Sequence, residues 1–310
     1  MTVLDHPLSG VVPPVVTPLT PDAEIDRASL VRLVDTLLAA GVDGLFLLGS
    51  TGEAAFLTDA QRRAVVETVT GHVAGQVPVL AGAIDMTTPR VLDHARTAVT
   101  AGADAVVATA PFYARTHPVE IERHFRALAA GVDVPVFGYD LPVSVHTKLP
   151  AELLLALAAD RVLAGVKDSS GDDGALRGLI RGADRAGLRD LAVLTGSELT
   201  VDSALRMGAH GVVPGLGNVD PDGYVRLYRY CRAGDWDAAA AEQVRLLDLF
   251  GMVEVGDPAR MGRSSSALGA FKAALHLRGV IACPRTADPQ VPLSEADVAR
   301  VAEYLSAAGL

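Results

Sequence analysis

Short apolar, β-branched runs alternate along the chain with longer stretches whose apolar positions recur at helical spacing. The runs fall at 11–17, 43–49, 77–83, 104–110, 134–139, 162–168, 190–196 and 211–214. Their apolar residues follow one another with little polar alternation, as in parallel strands covered on both faces. The helical stretches between them span about 28–40, 58–74, 88–101, 118–130, 150–158, 172–185, 199–208 and 219–233. Gly41, Gly102 and Gly208 each stand after a helical stretch and just before a strand, where glycine closes a helix in a left-handed conformation. Eight β-then-α units predict an α/β fold, the closed (β/α)8 TIM barrel. An open doubly wound sheet would more often show about five or six strands and a GxGxxG after the first. Pro18 and Pro21 stand there instead. After residue 233 the strand rhythm stops. Three helical stretches follow, about 235–254, 264–279 and 294–308, with the proline-bearing segment 280–293 as a loop. The expected organisation is a barrel over residues 1–233 and a three-helix C-terminal appendage over 234–310.

Composition narrows the function classes. The chain has 310 residues, 50% hydrophobic and 21% charged, which is ample apolar material for a core. A net charge of −10 and the lack of any basic run argue against nucleic acid or an anionic membrane as the main partner. Residues 1–9 do not read as a leader peptide, and no apolar run is long enough to span a bilayer, so a cytoplasmic location is expected. Cys231 and Cys283 make no disulfide framework or zinc pair. The eight histidines are scattered, so no metal site is expected. Only Lys148, Lys167 and Lys272 carry a side-chain amine.

Barrel active sites lie at the C-terminal ends of the strands. Those positions read Gly49-Ser50-Thr51-Gly52-Glu53, Pro111-Phe112-Tyr113, Tyr139-Asp140-Leu141-Pro142, Lys167-Asp168-Ser169, Gly196-Ser197-Glu198 and Pro214-Gly215. Lys167 is the decisive residue. An apolar strand delivers it to the barrel mouth, and desolvation there favours a neutral amine that attacks a ketone to give a Schiff base. An ion pair with Asp168 is the structural alternative, but consecutive strand residues point to opposite sides. Tyr139 ends the preceding strand and can shuttle protons, with Ser50, Thr51 and Tyr113 supplying relay hydroxyls. The turn 49–53 offers backbone N–H groups and two hydroxyls to a carboxylate, and it fits a plain tight turn and helix cap equally well.

GSTGE at 49–53, Phe112-Tyr113, YDLP at 139–142 and GVKD at 165–168, with the opening PPVVTP at 13–18, resemble the dihydrodipicolinate synthase / N-acetylneuraminate lyase family of class I, pyruvate-dependent aldolases. The likeness covers nearly the whole chain. It implies a homotetramer built as a dimer of tight dimers, with no metal and no cofactor beyond the covalent imine on Lys167. Lys167 would be the Schiff-base lysine, Tyr139 the proton shuttle, Ser50 the relay hydroxyl, and Tyr113 the relay member lent to the neighbouring subunit. Thr51 would bind the pyruvate carboxylate, and the Val213 carbonyl would face the keto acid.

Departures from the family pattern point to a branch. The synthases carry an arginine two residues after the proline of Tyr-x-x-Pro, where this chain has Ser144; the next basic groups, His146 and Lys148, are displaced. Ser169, two residues after the lysine, resembles the hydroxyl of the sugar-acid lyases. After Gly196 only one of the two acids of the neuraminate lyases is kept, as Glu198. The expectation is a lyase that splits a 2-keto-3-deoxy sugar acid or related 2-keto acid into pyruvate and an aldehyde, or runs the reverse. Condensation of pyruvate with aspartate semialdehyde by a dihydrodipicolinate synthase is the alternative. A non-catalytic structural or ligand-sensing barrel is the third reading.

Overall fold

A computed structural model describes residues 7–310, so most of the stretch weighed as a leader lies outside the described residues. The chain runs β1 (Gly10–Val11), α1 (Arg27–Ala40), β2 (Leu45–Leu47), α2 (Asp59–Val73), β3 (Val79–Gly82), α3 (Thr88–Thr100), β4 (Ala105–Thr109) and α4 (Pro118–Ala130). It continues through β5 (Val136–Asp140), α5 (Pro142–Val145), α6 (Ala151–Ala159), β6 (Gly165–Asp168), α7 (Asp173–Ala186), β7 (Ala192–Thr195), α8 (Val201–Met207), β8 (Gly211–Val212) and α9 (Pro221–Ala233). Helices α10 (Trp236–Phe250), α11 (Arg263–Leu277) and α12 (Glu295–Ala307) follow. The strands are parallel and lie in the order β1-β8-β7-β6-β5-β4-β3-β2. A parallel bridge between Pro14 and Phe46 joins the two edges and makes the (β/α)8 barrel.

The first strand is shorter than its apolar run. Pro13 and Pro14 have no N–H, so the ladder stops at Val11. Asn218 takes over there. Its side chain donates to Pro14 O (2.9 Å) and accepts from Val16 N (3.0 Å), satisfying backbone groups that a ladder would otherwise pair. The sequence also gave no sign of the one-turn α5 directly after Tyr139-Asp140-Leu141. Helix boundaries elsewhere follow local chemistry. Asp26, Asp172 and Asp220 cap α1, α7 and α9 through their side chains, and Gly41, Gly187 and Gly234 end the same helices with positive φ.

The core has two layers. Val12, Phe46, Leu80, Val107, Phe137, Tyr139 and Leu194 fill the barrel interior. A larger shell fills the space between strands and helices, which is why the strand runs are apolar on both faces. Leu246 and Leu249 of α10, Ala270 and Phe271 of α11 and Val301 of α12 join the same buried cluster as Leu45 and Leu47 of β2.

One buried ion pair fastens this C-terminal region to the loop after β2. Lys272 on α11 meets Glu53, and both side chains are fully buried. Lys272 also donates to Arg285 O (2.8 Å), while Glu53 accepts from Ala287 N (2.6 Å) and Gln290 Nε2 (3.0 Å). Burial pulls the Lys272 amine below its ordinary range, and the Glu53 charge opposes that. Removing one partner strands the other charge in the interior. Lys272→Met is therefore expected to lower the unfolding free energy by about 3–5 kcal/mol, read from urea denaturation. A parental urea midpoint would show that the pair holds nothing.

Candidate active site

Strand register builds the site. Tyr139 on β5 pairs with Lys167 on β6, and the next pair in the same ladder is Asp140 with Asp168. Paired residues on neighbouring strands share a face, and the next pair takes the opposite one. Tyr139 and Lys167 therefore enter the barrel, with exposures of 3% and 6%. The Lys167 Nζ lies 4.2 Å from the Tyr139 ring centroid and 4.9 Å from that of Phe46. Those rings stand edge to face at 84° with centroids 6.1 Å apart. Aromatic faces thus surround the amine. Among the described residues it makes no ion pair with a carboxylate. Asp168 turns the other way, accepting from Ser170 N (2.8 Å) and lying 3.8 Å from Lys148 Nζ.

The Tyr139 hydroxyl is 3.5 Å from Ser50 Oγ. Burial pushes this phenol up, but the Lys167 charge and hydrogen bonding with Ser50, Lys167 and Ser169 outweigh it and leave it below the ordinary 10. Ser50 is exposed and Thr51 half-buried on the turn after β2. That turn needs its glycines. A Cβ on Gly49 would stand 2.6 Å from the Phe46 ring, and one on Gly52 would stand 3.0 Å from Leu48 N. Gly196 has a similar duty, since a Cβ there would fall 2.0 Å from Ser169 Oγ and 3.1 Å from Lys167 Cε. The missing side chain lets Ser169 and Lys167 sit side by side under the end of β7.

Other expected residues lie around this centre. Val213 is buried in the barrel interior, its N–H donating to Thr195 O (2.8 Å). Glu198 accepts from Leu216 N (2.5 Å) and from the Tyr224 hydroxyl (3.4 Å), which ties it to the loop after β8 and to α9. Burial raises its carboxyl from 4.5 to about 7, with the Leu216 N–H, the Lys167 charge and Tyr224 opposing. Ser144 is exposed on α5, its N–H donating to Leu141 O (3.1 Å). Tyr113 stands apart, 94% exposed on backbone with φ 77°. The chain thus gathers Lys167, Tyr139, Ser50, Ser169 and Gly196, with Glu198 near enough to feel the Lys167 charge, and leaves Tyr113 and Ser144 facing outward.

Sequence reasoning missed Phe46, whose only sign was an aromatic residue within an apolar run. It also missed the placement of the remaining lysines: Lys148 is drawn to Asp140 and Asp168, and Lys272 to Glu53. Among the described residues, no group of three or more His, Cys, Asp or Glu side chains is placed to hold a metal ion. No helix among them is long and apolar enough to cross a membrane.

Comparison with known proteins agrees with this geometry. The profile described as the dihydrodipicolinate synthetase family matches residues 7–308. An uncharacterised DapA-like lyase of Halobacterium salinarum is 37% identical over 277 residues, covering 89% of this chain and 86% of its own. A 4-hydroxy-tetrahydrodipicolinate synthase of Sorangium cellulosum is 34% identical over 303 residues, covering 96% and 95%. Among solved structures, a prophage protein of Escherichia coli K12 assigned to the dihydrodipicolinic acid synthase family, in complex with pyruvate, superposes with a TM-score of 0.91 at 30% identity, over 98% of this chain and 99% of its own. The chain belongs to the dihydrodipicolinate synthetase family and is an enzyme of the class I lyase type.

Proposed function

We propose that the chain is a Schiff-base-forming, pyruvate-dependent lyase that acts on a 2-keto acid of the 2-keto-3-deoxy sugar-acid type. The observation that carries this reading is the single amine of Lys167, held against two aromatic rings and in register with the Tyr139 phenol. The neutral amine attacks the C2 ketone. Tyr139 moves protons between nitrogen and oxygen as the carbinolamine loses water to give the iminium. The Tyr139 oxygen, its proton passed on, takes the C4 hydroxyl proton as the iminium draws the electron pair of the C3–C4 bond; the aldehyde leaves and the enamine takes a proton at C3. Hydrolysis then returns the amine and pyruvate. No metal or further cofactor has a step in this sequence.

In this reading Ser50 relays protons to Tyr139. Thr51 and the N–H groups of its turn hold the substrate carboxylate, and the Val213 carbonyl lies against the keto-acid end. Ser169, Gly196 and Glu198 face the rest of the chain of the substrate, with Ser144 at its far end. Tyr113, almost wholly exposed here, completes the relay of a second copy, which suits a homotetramer built as a dimer of tight dimers. Pyruvate in the Escherichia coli neighbour supports the substrate class.

The name of the Sorangium cellulosum relative favours a second reading, condensation of pyruvate with aspartate semialdehyde. Against it stands Ser144, where a cation would be needed for the second carboxylate. Lys148 does not substitute, because its amine is drawn to Asp140 and Asp168. Pyruvate release from a panel of 2-keto-3-deoxy acids, set beside condensation with aspartate semialdehyde, separates the two.

Borohydride reduction in the presence of pyruvate is expected to add one reduced pyruvate to the peptide bearing Lys167, detected by mass spectrometry, and Lys167→Ala should abolish it. Absence of the adduct in the parent enzyme would sink the lyase reading. Tyr139→Phe removes one oxygen, should keep the fold, and should slow turnover by about two to four orders of magnitude; an unchanged rate takes Tyr139 out of proton transfer. Glu198 gives a stability test. Its folded value of about 7 lies above the ordinary 4.5, so its contribution is fully present below 4.5 and is lost as pH rises through about 7. Glu198→Gln should flatten that part of a plot of urea midpoint against pH, and a parental slope would contradict the assignment.

A further inference from the structure

The register that turns Tyr139 and Lys167 into the barrel turns Asp140 and Asp168 toward the helices, side by side on neighbouring strands. Both carboxylates are buried, with side-chain exposures of 0% and 6%. The Leu149 N–H donates to Asp140 (3.0 Å) and the Ser170 N–H to Asp168 (2.8 Å), so each is oriented by the backbone. Burial raises the Asp140 carboxyl, and the Asp168 charge adds to this against Lys148. Lys148 is the cation at the pair: its Nζ contacts Asp140 and lies 3.8 Å from Asp168. Asp172, the cap of α7, lines the same small cavity as Lys148 and Asp168, with one oxygen taken by Ala175 N (2.8 Å). On the barrel side the acidic group that acts on Lys167 is Glu198.

The Asp140, Asp168 and Lys148 group thus carries a formal charge of −1, directly behind the two residues that face the substrate. Its carboxylates are one residue from Tyr139 and Lys167 along stiff strands, so a change in its charge is felt at the amine and the phenol. We infer that Lys148 is a positioning residue for the Schiff-base chemistry: it neutralises one of two carboxylates behind Tyr139 and Lys167, and so holds the site active at neutral pH. This rests on Lys167 being the amine that captures pyruvate. Lys148 is 37% exposed and reaches in from the segment after α5, so it can be changed without opening the core.

The test uses pyruvate as the probe and reads the rate of borohydride-trapped adduct against pH. Lys148→Met takes the counter-charge from the pair and leaves up to one more negative charge behind the amine, less whatever proton Asp140 takes up in its place, and this favours ammonium. Its rising limb should move up by about half a pH unit, the effect of one added charge about 10 Å away at an effective dielectric of about 40. Asp140→Asn combined with Lys148→Met restores −1 and should return the limb to the parental pH, and Lys148→Arg should leave it there. A purely structural role gives no reason for the double variant to recover. A parental limb in Lys148→Met, or a double variant displaced as far as the single one, overturns the inference. Should Lys148→Met fail to fold, the double variant decides: a parental limb supports the inference, and a displaced limb or no trapping overturns it. Failure of the parent enzyme itself to trap pyruvate would instead remove Lys167 from its role.

Discussion

The site depends on one constraint, the parallel register between β5 and β6. Backbone hydrogen bonds set Tyr139 opposite Lys167 and Asp140 opposite Asp168. Because side chains alternate along a strand, a slip of one residue would send the amine to the helices and a carboxylate to the substrate. The register is held from both faces. Phe137, Tyr139 and Phe46 pack inside the barrel, and Val136 and Val166 pack under the helices. Chemistry and stability therefore share the same ladder.

Three lysines divide the work of charge in this fold. Lys167 stands against aromatic rings and, among the described residues, makes no ion pair with a carboxylate, which suits the nucleophilic role proposed for it. Lys148 answers two carboxylates behind the site. Lys272 is shut away with Glu53 and fastens the last helices to the turn that carries Ser50 and Thr51. The C-terminal helices thus contribute to the active face although none of their side chains belongs to the proposed catalytic set. A carboxylate at the end of a turn, with its partner more than two hundred residues away, makes the 49–53 turn part of the global fold.

Much of this was legible in the order of residues. Doubly covered strands leave near-continuous apolar runs, and helices end at glycine, so the eight-unit rhythm was visible in segments such as 104–110 and 162–168. Pro13 and Pro14 cut the first strand short, because an apolar run says nothing of which N–H groups a ladder needs. The placements of Lys167 and Tyr139 followed from their positions at strand ends. Phe46 did not follow, because an aromatic residue in an apolar run looks the same whether it faces the site or the helices.

The sequence alone determined the repeating βα unit and the strand-end positions of the amine and phenol. Those follow from local rules of spacing and backbone freedom. Only the tertiary structure decided which charges meet. Lys148 with Asp140 and Asp168, Lys272 with Glu53, and the Asn218 side chain at Pro14 and Val16 are contacts between residues that register and barrel closure bring together. Chain spacing cannot foretell them, because the strength of an ion pair or hydrogen bond depends on distance and burial, and both are set only when the barrel closes.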